Sequence, residues 1–199
     1  MSRSSHPVAG IILAAGESTR FGEANKLLAE IDGTPVVRRA TETMVDSMAD
    51  PIVVVVGHES ERVGHCLGDL PIDLVENPEF ANGQSTSVRA GIEAVPQEAV
   101  AVVIGLGDMP LVRPGTVDTL IEAYRAERGT ALSAAYKGTR GNPVLFDRDH
   151  FETLRDLSGD IGGREILREQ GVLIETGDRA VCRDIDTPDD LSHFRNDPC

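Results

Sequence analysis

Apolar residues in this chain fall in short continuous runs, separated by segments whose apolar positions recur at helical spacing. Val8 to Ala14 (VAGIILA) is apolar throughout and ends in small residues, the pattern of a strand buried on both faces. Pro51 to Gly57 (PIVVVVG) and Val100 to Leu106 repeat it with β-branched residues. Ile72 to Val75, Ala131 to Tyr136, Pro143 to Phe146, Val172 to Glu175 and Val181 to Asp184 read as shorter strands. Between the first two strands, Val36, Val37, Ala40, Met44, Val45 and Met48 recur at helical spacing. Thr34 is the expected N-cap of that helix and Pro35 its first helical residue. Further helices are predicted over Ser60 to Leu67, Gln84 to Val95, Thr116 to Arg128, Arg148 to Leu157, Gly163 to Gln170, and from about Pro188.

Strands alternating with helices specify a mostly parallel sheet covered on both faces, a doubly wound α/β layer structure. Ligands of such sheets sit outside the carboxyl ends of the strands, where the strand order reverses. The chemistry is therefore expected in the loops that follow strands.

With 199 residues and 40% hydrophobic content, the chain fits one domain, expected over residues 8–199 after a frayed, disordered polar tail at 1–7. The 20 glycines and 11 prolines lie between apolar runs and read as turns. No apolar stretch approaches the ~20 residues that span a bilayer, and the start lacks the architecture of a signal peptide, so no membrane association and a cytoplasmic location are expected. The formal charge of −14, from 33 acidic against 19 basic residues, argues against a nucleic-acid partner, which needs a basic surface. Any cations that meet an anionic ligand must be locally concentrated. Cys66, Cys182 and Cys199 have no spacing that supports a disulfide framework or a zinc site, and the five scattered histidines carry no assigned role.

Three loops carry the chemistry. Directly after the first strand comes Ala14-Ala15-Gly16-Glu17-Ser18-Thr19-Arg20-Phe21-Gly22-Glu23-Ala24-Asn25-Lys26. It matches neither GxxxxGK[ST] nor GxGxxG, which disfavours a dinucleotide-dependent oxidoreductase. Its glycines nonetheless allow backbone N–H groups to approach an anion, and Arg20 and Lys26 supply two cations to a triphosphate bearing about four negative charges. The second loop, Gly107-Asp108-Met109-Pro110, places a carboxylate at a strand's carboxyl end. That position suits Mg²⁺, which takes one or two carboxylates plus phosphate oxygens. In the third, Asp184-Ile185-Asp186-Thr187-Pro188-Asp189-Asp190, Thr187 and Asp190 have the spacing of a capping box, so several of these acids have a structural explanation. Asp186 precedes the cap and could face Asp108 across the crevice as a second metal ligand.

Gly83-Gln84-Ser85-Thr86-Ser87 lacks the final glycine of a nucleophile elbow, which disfavours a serine hydrolase; its polar side chains suit recognition of a base or ribose. Two further glycine-rich segments, Gly138 to Pro143 with Arg140 and Asn142, and Ser158 to Arg164 with Asp160 and Arg164, either grip an acceptor phosphate or are plain turns.

The run LAAGESTRFGEANK resembles the LAAGxSxRMGxxK signature of the MobA-like nucleotidyltransferases, with Phe21 where methionine is usual. GDMP, RGNPVLF, GDIGGR and DIDTPDD, in that order, are similar to later motifs of one branch, the molybdenum cofactor cytidylyltransferases. The resemblance runs from about Val8 to Phe194. It implies a Rossmann-like nucleotidyltransferase fold, with Ala14, Ala15, Gly16, Arg20 and Lys26 around the triphosphate and Asp108 and Asp186 on Mg²⁺. Ala15, in LAAG as opposed to LAGG, implies CTP over GTP. Gly83, Ser85 and Ser87 are the candidate nucleotide contacts in the second segment; the resemblance implies that GDIGGR, with Asp160 and Arg164, lies toward the acceptor, and Arg140 and Asn142 are further candidate acceptor contacts. The implied acceptor is molybdenum-bearing molybdopterin, the product its cytosine dinucleotide, and the onward partner an apo-molybdenum hydroxylase. The rivals are the same chemistry with GTP or another phosphorylated acceptor, and a non-catalytic chaperone delivering the molybdenum cofactor.

Overall fold

The computed structural model describes residues 6–22, 24–157 and 163–196, with the backbone alone at 193–196. Most of the expected tail, Asp160 and Cys199 therefore lie outside the described residues. The sheet is built from β1 (Val8–Ala14), β4 (Ile52–Val56), β5 (Asp73–Glu76), β6 (Ala101–Leu106), β7 (Ala131–Tyr136), β8 (Thr139–Asp147) and β9 (Val172–Glu175). Its order is β5-β4-β1-β6-β8-β7-β9, with β8 alone antiparallel to its neighbours. Two short strands, β2 (Glu30–Ile31) and β3 (Thr34–Pro35), form a separate hairpin.

Helices α1 (Val36–Val45), α2 (Ser60–His65) and α4 (Pro114–Arg125) cover one face; α3 (Gln84–Ala94), α5 (Phe151–Arg155) and α6 (Arg164–Gln170) cover the other. Alternation along the strands divides the core accordingly. Val8, Ile12 and Ala14 pack with Met44 and Leu120, whereas Ala9 and Ile11 pack with Val88 and Ile92. Gly10 lets α1 lie against the central strand, because a Cβ there would stand 2.6 Å from Met44 Cγ. A final helix, α7, spans Pro188–Asn196.

The chain runs outward from β1 through β4 to β5, then returns to place β6 on the other side of β1. The switch in strand order thus falls between β1 and β6, and a crevice opens at their carboxyl ends.

Three expectations need correcting. Thr34 and Pro35 do not open α1. They pair with Ile31 and Glu30, and the helix begins at Val36 without a side-chain cap. The reason is Asp32-Gly33, both at positive φ, which makes a tight hairpin turn and commits the flanking residues to extended backbone. Secondly, the strand expected at Val181 to Asp184 is instead a 3-10 turn over Arg179–Cys182, started by the Asp178 carboxylate accepting from Ala180 N–H. Thirdly, β8 begins four residues before Pro143. Lys137 and Gly138, both at positive φ, turn the chain directly back on β7, so residues read as a loop join the ladder.

Candidate functional site

The loop after β1 leaves the sheet at Ala15, and Gly16 faces open space: a Cβ there would meet nothing within 4 Å. A 3-10 turn at Thr19–Phe21 follows, then a second at Lys26–Leu28 capped by Asn25, whose side-chain oxygen accepts from Leu27 N–H. Phe21 is buried and packs with Ile31, Val36 and Ile185. The apolar side chain at this position thus clamps the loop to the segment carrying Asp186.

Gly107 and Asp108 follow β6. The Asp108 carbonyl accepts from Ile185 N–H at 3.0 Å, which ties the third loop to the second. Ile185 is fully buried, so in extended chain its neighbours Asp184 and Asp186 project to the opposite side, toward Asp108. Thr187 and Asp190 then form a reciprocal cap at the start of α7: Asp190 accepts from Thr187 N–H, and Thr187 Oγ1 accepts from Asp190 N–H.

These elements bring four charged groups together. Lys26 Nζ donates to Asp108 Oδ2 at 2.6 Å and to Asp186 Oδ1 at 2.9 Å, and Arg20 donates to Asp186 Oδ2 at 2.5 Å. The side chains of Lys26 and Asp108 are 14% and 18% exposed, against 76% for Arg20. Burial alone would push the Lys26 ammonium down, but Asp108 and Asp186 more than offset it, so its pKa is raised and it stays charged. Burial pushes the Asp108 carboxyl up, against the pull of Lys26 and with a further push from the like charge of Asp184. Asp186 is lowered, first by the Lys26 hydrogen bond and then by Lys26 and Arg20 charge, against a burial penalty.

Asp108, Asp184 and Asp186 each offer a carboxylate oxygen within 4.8 Å of the others. Asp108 Oδ1 is buried and has no hydrogen-bond partner among the described residues. An acceptor left unmet beside two other carboxylates fits a hard divalent cation, which takes oxygen ligands. Asp184 was not singled out from sequence. The signal was present, since residues two apart in an extended segment share a face, but the expected capping role of this acid-rich stretch obscured it.

The crevice has a volume of about 530 Å³, and its lining includes Ala15, Gly16, Arg20, Lys26, Asp108 and Asp186 together with Phe80, Gly83, Gln84 and Ser87. Ala14 is buried at the end of β1 beneath it. Of the second segment, Gly83 and Ser87 are brought to the crevice, and Gln84 joins them. Ser85 is not: it is 1% exposed, does not line the crevice, and its hydroxyl has no partner among the described residues. One residue of helix, about 100° of rotation, separates the crevice face from the core face. Arg140 and Asn142 sit outside the crevice lining. Arg140 is spent on the carbonyl of Leu167 at 2.9 Å, and Asn142 borders a small apolar cavity with Met44 and Met109. Arg164 is exposed at the start of α6.

Residues 10–174 match the model of the MobA-like NTP transferase domain. The chain belongs to that family. The nucleotidyltransferase reading of the motifs and the fold both stand, and the matched stretch ends before Asp184 and Asp186. Nicotine blue oxidoreductase from Paenarthrobacter nicotinovorans is 29% identical, with 92% of this chain and 94% of that protein aligned. The bifunctional protein GlmU from Kineococcus radiotolerans is 35% identical over 78% of this chain, which spans only 31% of that longer protein. Among solved structures, Rv0371c from Mycobacterium tuberculosis superposes with a TM-score of 0.82 at 25% identity, covering 96% of this chain and 98% of that one. A manganese complex of the same protein superposes at 0.79 and 23% identity, covering 96% and 99%. No helix among the described residues is long and apolar enough to cross a membrane.

Proposed function

We propose that this chain transfers CMP from CTP to the terminal phosphate of a molybdopterin-type acceptor, releasing pyrophosphate and forming the cytosine dinucleotide. The observation that carries the reading is the Lys26 ammonium bridging Asp108 and Asp186 at the floor of an open crevice, beside a glycine whose Cβ position is empty. Gly16 and the backbone around it offer room for phosphates, and Lys26 and Arg20 offer positive charge to them. An acceptor phosphate oxygen attacks the α-phosphorus in line; the new P–O bond forms as the bond to the bridging oxygen of pyrophosphate breaks. No covalent enzyme intermediate is needed.

Asp108 and Asp186 would hold Mg²⁺, and the bound ion would neutralise charge developing on the phosphates. Lys26 orients the triphosphate and offsets that charge from the protein side, in a preorganised setting that costs little rearrangement. Gly83, Gln84 and Ser87, at the start of α3, face the nucleotide across the crevice. Ala15 supports the choice of cytosine through the likeness to the cytidine-using branch. An apo-molybdenum hydroxylase is the proposed recipient of the product, and the cytoplasm the proposed location of a single domain over 8–199.

The test is pyrophosphate release from CTP and from GTP, each with Mg²⁺, with and without molybdenum-loaded molybdopterin. Release that needs the acceptor and prefers CTP is expected. Release with GTP alone reassigns the base; nucleotide binding without release in any arm points to a delivery chaperone.

A second reading rests on the oxidoreductase relative, which aligns over nearly its whole length. Under it, the crevice holds a nucleotide-containing redox cofactor, and the preparation consumes a reduced nicotinamide dinucleotide in the presence of a dye acceptor. The cluster of Arg20, Lys26, Asp108 and Asp186 favours transfer of a nucleotidyl group.

A further inference from the structure

We infer that Asn25 is a positioning residue for Lys26, latching the lysine backbone to Ser18 so that the ammonium is carried to the crevice floor. The inference deepens the reading above, in which Lys26 meets the triphosphate, and rests on it.

Hydrogen bonding supplies the first ground. Asn25 is 6% exposed and is not among the residues lining the crevice, so its side chain works inside the loop. Its Oδ1 accepts from Leu27 N–H at 3.0 Å and from the Ser18 hydroxyl at 3.3 Å, while Ser18 Oγ accepts from Lys26 N–H at 3.2 Å. Together these bonds close a ring around the Lys26 backbone. They tie it to a residue eight positions earlier that itself lines the crevice.

The conformation of Ser18 is the second ground. It stands at φ 56°, a left-handed backbone that a residue with a side chain adopts at a cost and keeps only where its surroundings hold it. Although Ser18 opens the 3-10 turn at Thr19–Phe21, its side chain does not cap that turn. The hydroxyl is turned to Asn25 and Lys26 instead.

Packing supplies the third. Leu27 is 3% exposed and sits in the core with Ala14 and Val37; a Cβ on Gly107 would stand 3.4 Å from Leu27 Cδ2. Leu27 therefore seats the turn directly against the residue that precedes Asp108. The flexible four-carbon stem of a lysine does not fix its own end point. Where the Lys26 ammonium lies, 2.6 Å from Asp108 and 2.9 Å from Asp186, thus depends on where its backbone is anchored.

The experiment is titration of the isotope-labelled full-length chain with CTP in Mg²⁺, followed by amide chemical shifts, which read millimolar as well as micromolar binding. Asn25→Ala and Ser18→Gly are each compared in the wild-type and the Lys26→Met backgrounds. Glycine adopts the left-handed backbone freely, so Ser18→Gly removes the hydroxyl without adding strain and decides the matter where Asn25→Ala does not fold. Each is expected to weaken CTP binding about tenfold, because a small misplacement of a charged contact costs at least that much. In the Lys26→Met background each should change affinity less than about twofold, since the group being positioned is gone. An equal loss in both backgrounds marks a merely structural role and overturns the inference, as does wild-type affinity in the single variants; either result leaves Lys26 as a triphosphate contact. Unchanged affinity in Lys26→Met, or no binding of CTP by the wild type, overturns the triphosphate reading itself.

Discussion

The ammonium of Lys26 lies 2.6 Å from Asp108 Oδ2, joining two loops that are 82 residues apart in sequence and leave adjacent parallel strands at the same end. Both side chains are largely buried, so this pair is set in a medium where charge is expensive to strand. In the proposed reaction the same contact would serve both stability and chemistry. Removing the lysine should therefore damage both, and removing both partners should damage only one.

Lys26→Met should lower pyrophosphate release by 10²-fold or more, as loss of a preorganised cation does elsewhere, and destabilise the fold by about 3 kcal/mol. Adding Asp108→Asn should recover about 2 kcal/mol of that stability without restoring turnover. Chemical denaturation of the four proteins of this cycle, with turnover assays alongside, checks it. Retained activity in D108N would remove Asp108 from the mechanism.

Gly16 gives a cleaner separation. A valine side chain there grows into empty space, so Gly16→Val should alter stability by no more than about 0.5 kcal/mol. It fills room proposed for phosphates, and KM for CTP should rise about tenfold, equivalent to ~1.4 kcal/mol. An unchanged KM would place the triphosphate elsewhere.

Gly141 behaves in the opposite sense. A Cβ at this position in β8 would stand 2.0 Å from the Val181 carbonyl oxygen, so the strand and the 3-10 turn must move apart. Gly141→Ala should cost about 3 kcal/mol and lower the melting temperature by roughly 10 °C. Because Val181 leads directly to Asp184 and Asp186, Mn²⁺ affinity should fall with it.

Arg38 and Asp69 set a pH dependence. Arg38 makes a two-pronged contact with Asp69 at 2.6 and 2.9 Å, and the Arg38 hydrogen bonds, helped by the aspartate's own N–H, hold the Asp69 carboxyl at about 2, below the usual 3.8. A depressed folded-state pKa contributes stability that is complete above the unfolded value and is lost as pH falls through the folded one. Asp69→Asn should lower the melting temperature at pH 6 by roughly one to three degrees, and the gap from wild type should close between pH 4 and 2. A gap that persists at pH 2 would contradict the assignment.

Much of this was legible in the chain. β1, β4 and β6 are continuous apolar runs because both faces of each are covered, and a strand with two buried faces has no choice but to be apolar throughout. The glycines and cations after β1, and the carboxylate after β6, declared the site because a parallel α/β sheet puts such loops at one end. Asp32-Gly33 is also a hairpin-turn signal in the sequence, and it outweighs the capping pattern of Thr34-Pro35 and sets the start of α1 at Val36.

Other features depend on contacts between distant residues. The helical periodicity of α3 does not say which of Ser85 and Ser87 faces the crevice; the packing of α3 against β1 and β4 decides that. Arg140 looks like a free cation in sequence, but the approach of α6 gives it the Leu167 carbonyl. Asp184 gains its meaning only when buried Ile185 and its bond to Asp108 turn two acids toward a third. Sequence alone determined the main alternation of buried strands and covering helices, and the residue types at the strand ends, because those follow from local periodicity and turn chemistry. Which charges meet, and which buried oxygen is left without a donor, the tertiary structure decided, because both depend on how segments more than 70 residues apart are packed.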